Sequence, residues 1–226
     1  MKKTGFTLAE VLITLGIVGV VSALVLPTFT TKMQTAKVGP RLAKAVAAFE
    51  QANIAILEDN QADALTATEL LTDADTYFGP TGLQTHMKGS YNTDNHTFYS
   101  ADGSAYCVAR ISNPNITGTC FSDNEAFSDG LQNEFPHLSM VTDSYQRRAI
   151  MIDIDGDNGP NTPARDRFFF QLMDNGSLRP YGGSWDTNQN RRWETACPKN
   201  SKPPRPNGYI YCAGHVMENG LKVEYK

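Results

Sequence analysis

The sequence predicts an α+β fold: one long N-terminal α-helix packed on an antiparallel β-sheet head. Three observations predict it. The run from Phe6 to Phe29 carries a single charge, Arg41 to Glu58 repeats apolar positions at helical spacing, and the chain beyond about Asn60 turns to Gly, Asn, Asp, Thr and aromatics. With 226 residues, 40 % apolar and 19 % charged, the chain can bury one sizeable core beside an extension. Lys plus Arg number 20 against 24 for Asp plus Glu, a formal charge of −4. That balance argues against a nucleic-acid binder working by bulk positive charge.

Met1-Lys2-Lys3-Thr4-Gly5 is short, basic and polar, and the run from Phe6 to Phe29 carries one charge, Glu10. As a helix at ~1.5 Å per residue that run is about 36 Å long, enough to cross a ~30 Å hydrocarbon core. Lys2 and Lys3 would hold the N-terminus on the cytoplasmic side. A secretory signal peptide has a shorter apolar region ending in a small-residue cleavage site. Here Gly16, Gly19, Ser22 and Ala23 are spread through the run instead of ending it. Glu10 is what a plain anchor does not explain, because a carboxylate at that depth costs roughly 2.5–3.5 kcal/mol. Its position alone is equally consistent with a functional charge and with a side chain reaching the headgroups.

The pattern Gly5-Phe6-Thr7-Leu8-Ala9-Glu10-Val11-Leu12 resembles the leader junction of type IV pilins and type II secretion pseudopilins. That signature is a short basic leader, Gly, a Phe that becomes methylated, Glu four residues further on, and an apolar helix with a Pro near its end, here Pro27. The resemblance covers about the first 50 residues. It implies cleavage between Gly5 and Phe6 by a prepilin peptidase, then N-methylation of Phe6. It also implies a single-pass inner-membrane precursor, an assembly platform, and other pilin or pseudopilin subunits as partners in a periplasmic or extracellular filament. Cleavage makes a new ammonium at Phe6, a partner for Glu10 of a neighbouring subunit. Contacts between two different patches generate open helical filaments, and Gly16, Gly19 and Ala23 would let helices approach closely.

The expected division is a leader at 1–5, a membrane and assembly half-helix at 6–29, an amphipathic half-helix at 30–60 and a head at 61–226. Pro27 should kink or locally melt the helix, and Gly39-Pro40 is a second point of interruption. From Arg41 to Glu58, Leu42, Val46, Phe49, Ile56 and Leu57 share a stripe, with Lys44, Glu50 and Glu58 off it. Asp102-Gly103, Asn175-Gly176 and Asn219-Gly220 read as hairpin turns. The flanking strands are Thr97–Ser100 with Ser104–Ile111, Arg167–Met173 with Ser177–Pro180, and Tyr209–Cys212 with Leu221–Tyr225. Ile150–Ile154 is a further β-branched run, and Lys199–Pro206 reads as a loop.

Cys107, Cys120, Cys197 and Cys212 lack C-x-x-C spacing, so two disulfides in an oxidising compartment are expected. Three connectivities are open. The local one, Cys107 to Cys120 and Cys197 to Cys212, closes loops of about 13 and 15 residues, each worth on the order of 3 kcal/mol. The second loop resembles the C-terminal disulfide-bounded loop of type IV pilins. Asp153-Ile154-Asp155-Gly156-Asp157 places three carboxylates at alternate positions, a spacing that suits a hard cation wanting six to eight oxygens. It opens like an EF-hand loop, but Gly156 comes early and Ala164 stands where the closing Glu belongs. Asn161 and Asp166 would complete the ligands, and Ca²⁺ is the expected ion; the resemblance adds that some pseudopilins hold calcium in the head. The competing reading is a solvated acidic turn.

No nucleophile, base and orienting group can be assembled. Gly182-Gly183-Ser184-Trp185 is not G-x-S-x-G, and His86, His96, His137 and His215 form no H-E-x-x-H. The expected function is a structural filament subunit. A minor or tip pilin displaying an adhesin or DNA-uptake head on the same spine is the alternative.

Overall fold

The structure, a computed structural model, describes residues 7–72, 74–110, 148–158, 164–185, 193–197 and 211–223. The chain divides into two compact units, residues 1–37 and 38–226. Helix α1, Leu8–Asp59, contributes to both. Interruptions are expected at Pro27 and Gly39-Pro40, yet α1 is assigned as one element through both. A proline deletes one donor, and the helix takes that loss here without ending. Gly39 answers to packing instead. A Cβ built there would lie 1.9 Å from the Leu221 carbonyl oxygen, so only glycine lets the C-terminal turn close on the helix.

In the head unit α1 buries Leu42, Ala45, Val46, Phe49, Ala52, Asn53 and Ile56, with Leu57 partly covered. This is the expected stripe, filled in by small residues. Among the described residues six strands form one antiparallel meander in sequence order. They are β1 Gly89–Asn92, β2 Thr97–Ser100, β3 Ala105–Arg110, β4 Arg148–Asp153, β5 Arg167–Leu172 and β6 Leu178–Pro180. Their register lines Tyr91, Phe98, Tyr106, Ile152 and Phe168 into one cross-strand row. Phe98, Tyr106, Ile152 and Phe168 join the helix stripe in the main core, where each fully buried large side chain contributes roughly 1.5–3 kcal/mol. Phe49 stacks on Tyr106 at 5.2 Å between centroids. The opposite face is buried too, through Ala105, Cys107, Ala149, Met151 and Phe169.

Polar contacts fix the helix on this sheet. The Tyr106 hydroxyl donates to the Ala45 carbonyl (3.1 Å), and the Leu178 N–H donates to Glu50 Oε1 (2.7 Å), which ties an off-stripe residue to the edge strand β6. Asn53 is fully buried; its amide donates to the Gly176 carbonyl (3.2 Å) and its Oδ1 accepts from the Tyr77 hydroxyl (2.5 Å). Buried polar groups persist only when paired in this way.

Two expected hairpins are present: Gly103 (φ +91°) lies between β2 and β3, and Gly176 (φ +82°) between β5 and β6. The third is corrected. Cys212 opens a helix, α5 (Cys212–Glu218, following α4, Trp193–Ala196), and is not the end of a strand. Asn219-Gly220 terminates α5: Gly220 has φ +63°, and the Leu221 N–H bonds the Val216 carbonyl (3.0 Å) five positions back. A helix C-terminus and a tight hairpin both demand positive φ, so the dipeptide alone does not distinguish them. Tyr209 and Tyr225, like the Lys199–Pro206 loop, lie outside the described residues. The stretch after α1 is also less sheet-like than its composition suggests. It holds 3₁₀ turns at Leu65–Ala67 and Leu70–Thr72, then α2 (Ala74–Phe78) and α3 (Leu83–His86), all too short to show a period.

Candidate assembly site

Helix α1 begins with a reciprocal cap. The Thr7 N–H and hydroxyl both donate to Glu10 Oε2 (2.8 Å each), and the Glu10 N–H donates back to Thr7 Oγ1 (3.3 Å). This is a capping box, which satisfies the orphan donors of the first turn. Its signal, Thr-x-x-Glu, stands in the sequence and identifies Thr7, which reasoning from charge alone misses. The Thr14 hydroxyl donates to the carbonyls of Glu10 and Val11 (2.9 Å each), so it is satisfied within the helix. Gly5 and Phe6 lie outside the described residues.

Beyond the cap, the 18 residues Leu8–Val25 are apolar and long enough to cross a membrane, and none is buried within the fold. Leu8, Leu12, Leu15 and Leu24 all stand exposed. Gly16 and Gly19 meet no atom within 4 Å of a Cβ position. Such a surface is unstable in water and demands a lipid or protein environment.

The acidic loop sits elsewhere, at the end of β4. Register places Asp153 directly opposite Arg167, the first residue of β5. Arg167 Nε donates to Asp153 Oδ2 (2.9 Å), with both side chains largely buried, and the Asp155 N–H donates to Asp153 Oδ1 (3.3 Å). The Ile154 N–H bonds the Asp166 carbonyl (2.8 Å), closing the neck of the loop and bringing buried Asp166 to the same cluster. Burial pushes the Asp153 carboxyl up to about 7; the Arg167 hydrogen bond and charge oppose this, and the Asp166 charge adds to it. Of the five candidate ligands, Asp153, Asp155 and Asp166 are placed, while the Asp157 side chain and Asn161 lie outside the described residues. Among the described residues no three His, Cys, Asp or Glu side chains converge on a metal position. Arg167 is the group that sequence reasoning missed here, since only strand register brings it to Asp153.

Cys197 and Cys212 are disulfide-bonded, with Cα atoms 5.0 Å apart, linking α4 to α5. Trp193 packs edge-on to His215 beside this bridge (4.6 Å), and its indole N–H reaches Glu218 (3.3 Å). Cys107 on β3 is also disulfide-bonded, and Cys120 lies outside the described residues.

Comparison with known families adds the deciding observation: the model described as the prokaryotic N-terminal methylation motif matches residues 1–26. The chain carries a prepilin-type signature. It is the signature of type IV pilins and pseudopilins, and it falls on the segment that holds the Thr7–Glu10 cap and most of the exposed apolar helix. No curated protein and no solved structure matches the chain. The prepilin signature implies processing by a prepilin peptidase and assembly with other pilin-type subunits, and together with the apolar helix it fits a membrane-anchored precursor.

Proposed function

We propose that this protein is a structural subunit of a type IV pilus-like or type II secretion pseudopilus filament, without catalysis of its own. The prepilin peptidase cleaves before Phe6, Phe6 is methylated, and the chain waits in the inner membrane as a single-pass protein. The assembly platform then adds it to a growing filament, with α1 as the spine and the β-sheet head outside. One observation carries this reading: a prepilin motif leads directly into an uncovered apolar helix that is fused to a well-packed head. Intact-mass and N-terminal peptide analysis of membrane and filament fractions tests it. The mature chain should begin at methylated Phe6 and lose Lys2 and Lys3, moving the formal charge from −4 to 18 − 24 = −6. A mature protein starting at Met1, or after Ala23, sinks the proposal.

We also propose that Ca²⁺ stabilises the acidic loop, held by Asp153, Asp155, Asp157, Asn161 and Asp166. The support is chemical: Asp153 and Asp166 are both buried in one cluster, where the Asp166 charge works against ionisation of Asp153. A cation bound only to the folded head adds ~2.7 kcal/mol at a hundred times its Kd. Thermal unfolding of the processed chain in detergent should show a higher midpoint in calcium than in EDTA or magnesium. Asp155→Ala with Asp157→Ala should abolish the rise. Equal midpoints in all three would mean that the loop takes no stabilising calcium.

A further inference from the structure

Charge is segregated along this chain in a way the prepilin signature does not require. From Val11 to Phe49 there are four bases, Lys32, Lys37, Arg41 and Lys44, and no acid. From Ala45 to Met87 there are seven acids and no Lys or Arg. Helix α1 carries the junction. Arg41, Lys44, Glu58 and Asp59 are all exposed, opposite the buried stripe of Leu42, Phe49 and Ile56. At 3.6 residues per turn these four fall within a sector of about 100°. One solvent face of one helix therefore begins basic and ends acidic.

We propose that this face sets the stagger between adjacent subunits: Arg41 and Lys44 of one copy meet Glu58 and Asp59 of a second copy. The inference rests on the filament reading and deepens it. Copies rooted in one membrane by the same helix run parallel. Side by side in register, they oppose base to base and acid to acid. Shifted by 14–18 residues, about 21–27 Å at 1.5 Å per residue, they oppose base to acid. Exposed ion pairs are individually weak, but like-charge juxtaposition is penalised strongly enough to select a register. The contact joins two different patches, so it propagates without closing. An anionic lipid surface would account for the basic block alone; a second copy accounts for both blocks. Lys44 also lies 3.3 Å from Asp102, and Asp59 lies 3.4 Å from His86, so each has an intramolecular competitor. Arg41 and Glu58 form no ion pair among the described residues, which makes them the principal couple.

The test is charge reversal in cells that carry the assembly machinery, read as sheared filament yield. Arg41→Glu alone and Glu58→Lys alone should each reduce yield by about tenfold, with normal processing and an unchanged unfolding midpoint. The double variant carrying both should recover most of the yield, because the swapped charges attract at the same stagger. In assembled wild-type background, Lys44→Cys with Glu58→Cys should cross-link into a ladder, while Lys44→Cys alone gives no dimer. Normal yield from both single variants, or a double variant no better than they are, overturns the proposal. So does loss of binding to phosphatidylglycerol vesicles on Arg41→Glu with full assembly of Glu58→Lys, which would assign the basic face to lipid. A correctly processed wild-type chain that forms no filament would bring down the filament reading itself, and this inference with it.

Discussion

Glu10→Gln should leave the leader cleaved and the chain inserted, yet reduce filament yield by about two orders of magnitude. The expectation separates two jobs that one side chain performs. In the isolated chain Glu10 closes the cap on Thr7 through hydrogen bonds that an amide can largely reproduce, since Gln also serves at this position of a capping box. In the filament proposed here Glu10 is also the charge that meets the ammonium of a neighbour's Phe6. Removing one partner of a buried pair costs on the order of 3–5 kcal/mol, and 3 kcal/mol is roughly a hundredfold in an equilibrium. Glu10→Val deletes both functions and serves as the limiting case. If the Gln variant assembles at normal yield while the Val variant does not, Glu10 acts as a helix cap and the pairing role is wrong. If both assemble normally, Glu10 has no role in polymerisation. Thr7→Val adds a further arm: it removes the hydroxyl partner and leaves the charge, so it should impair assembly far less than Glu10→Gln.

The spine of this protein was legible because its signals are local. A run with a single charge, a motif at a fixed spacing and the stripe through Leu42, Val46, Phe49 and Ile56 each lie within a few turns of one helix. The hairpins at Gly103 and Gly176 were readable for the same reason, since each three-residue loop closes on a local Asp-Gly or Asn-Gly pair. What escaped depends on contacts between distant segments or on patterns too short to show a period. β1 contains no β-branched residue and is a strand because β2 pairs with it, Tyr91 opposite Phe98. Gly39 reads from sequence as a helix breaker, but it answers to the Leu221 backbone packed against it, 182 positions further on (221 − 39). The acidic loop illustrates the same limit at a candidate site. Its carboxylates are visible as a cluster, but the arginine that compensates Asp153 is fixed by the register of β4 and β5.

That register carries the second large effect. Arg167→Met should destabilise the head by about 3–5 kcal/mol at pH 8, measured by denaturant unfolding of the processed chain in detergent with EDTA present. The substitution keeps an apolar stem of similar length and removes the guanidinium that bonds Asp153, so the loss is electrostatic before it is steric. Its pH dependence gives the mechanism away. Asp153 is raised in the folded head by burial, with Asp166 adding to the rise, whereas in the unfolded chain it returns to the ordinary carboxylate range near ~3.9. A carboxyl raised on folding contributes stability that is fully present below its unfolded value and is lost as pH rises through its folded value. The wild-type head should therefore lose stability from this group between about pH 4 and pH 8. Without Arg167 less opposes burial, so the folded value rises further, the loss extends to higher pH and the deficit of the variant is greater at pH 8 than at pH 5. Near pH 5 a proton on Asp153 takes over from the guanidinium and most of the deficit should vanish. Asp153→Asn in the Arg167→Met background should restore stability at pH 8, because no buried charge then remains at that position. A deficit equal at pH 5 and pH 8, unmoved by Asp153→Asn, would mean that Arg167 acts through the packing of its stem and that the Asp153 charge is not what the strand pair is built around.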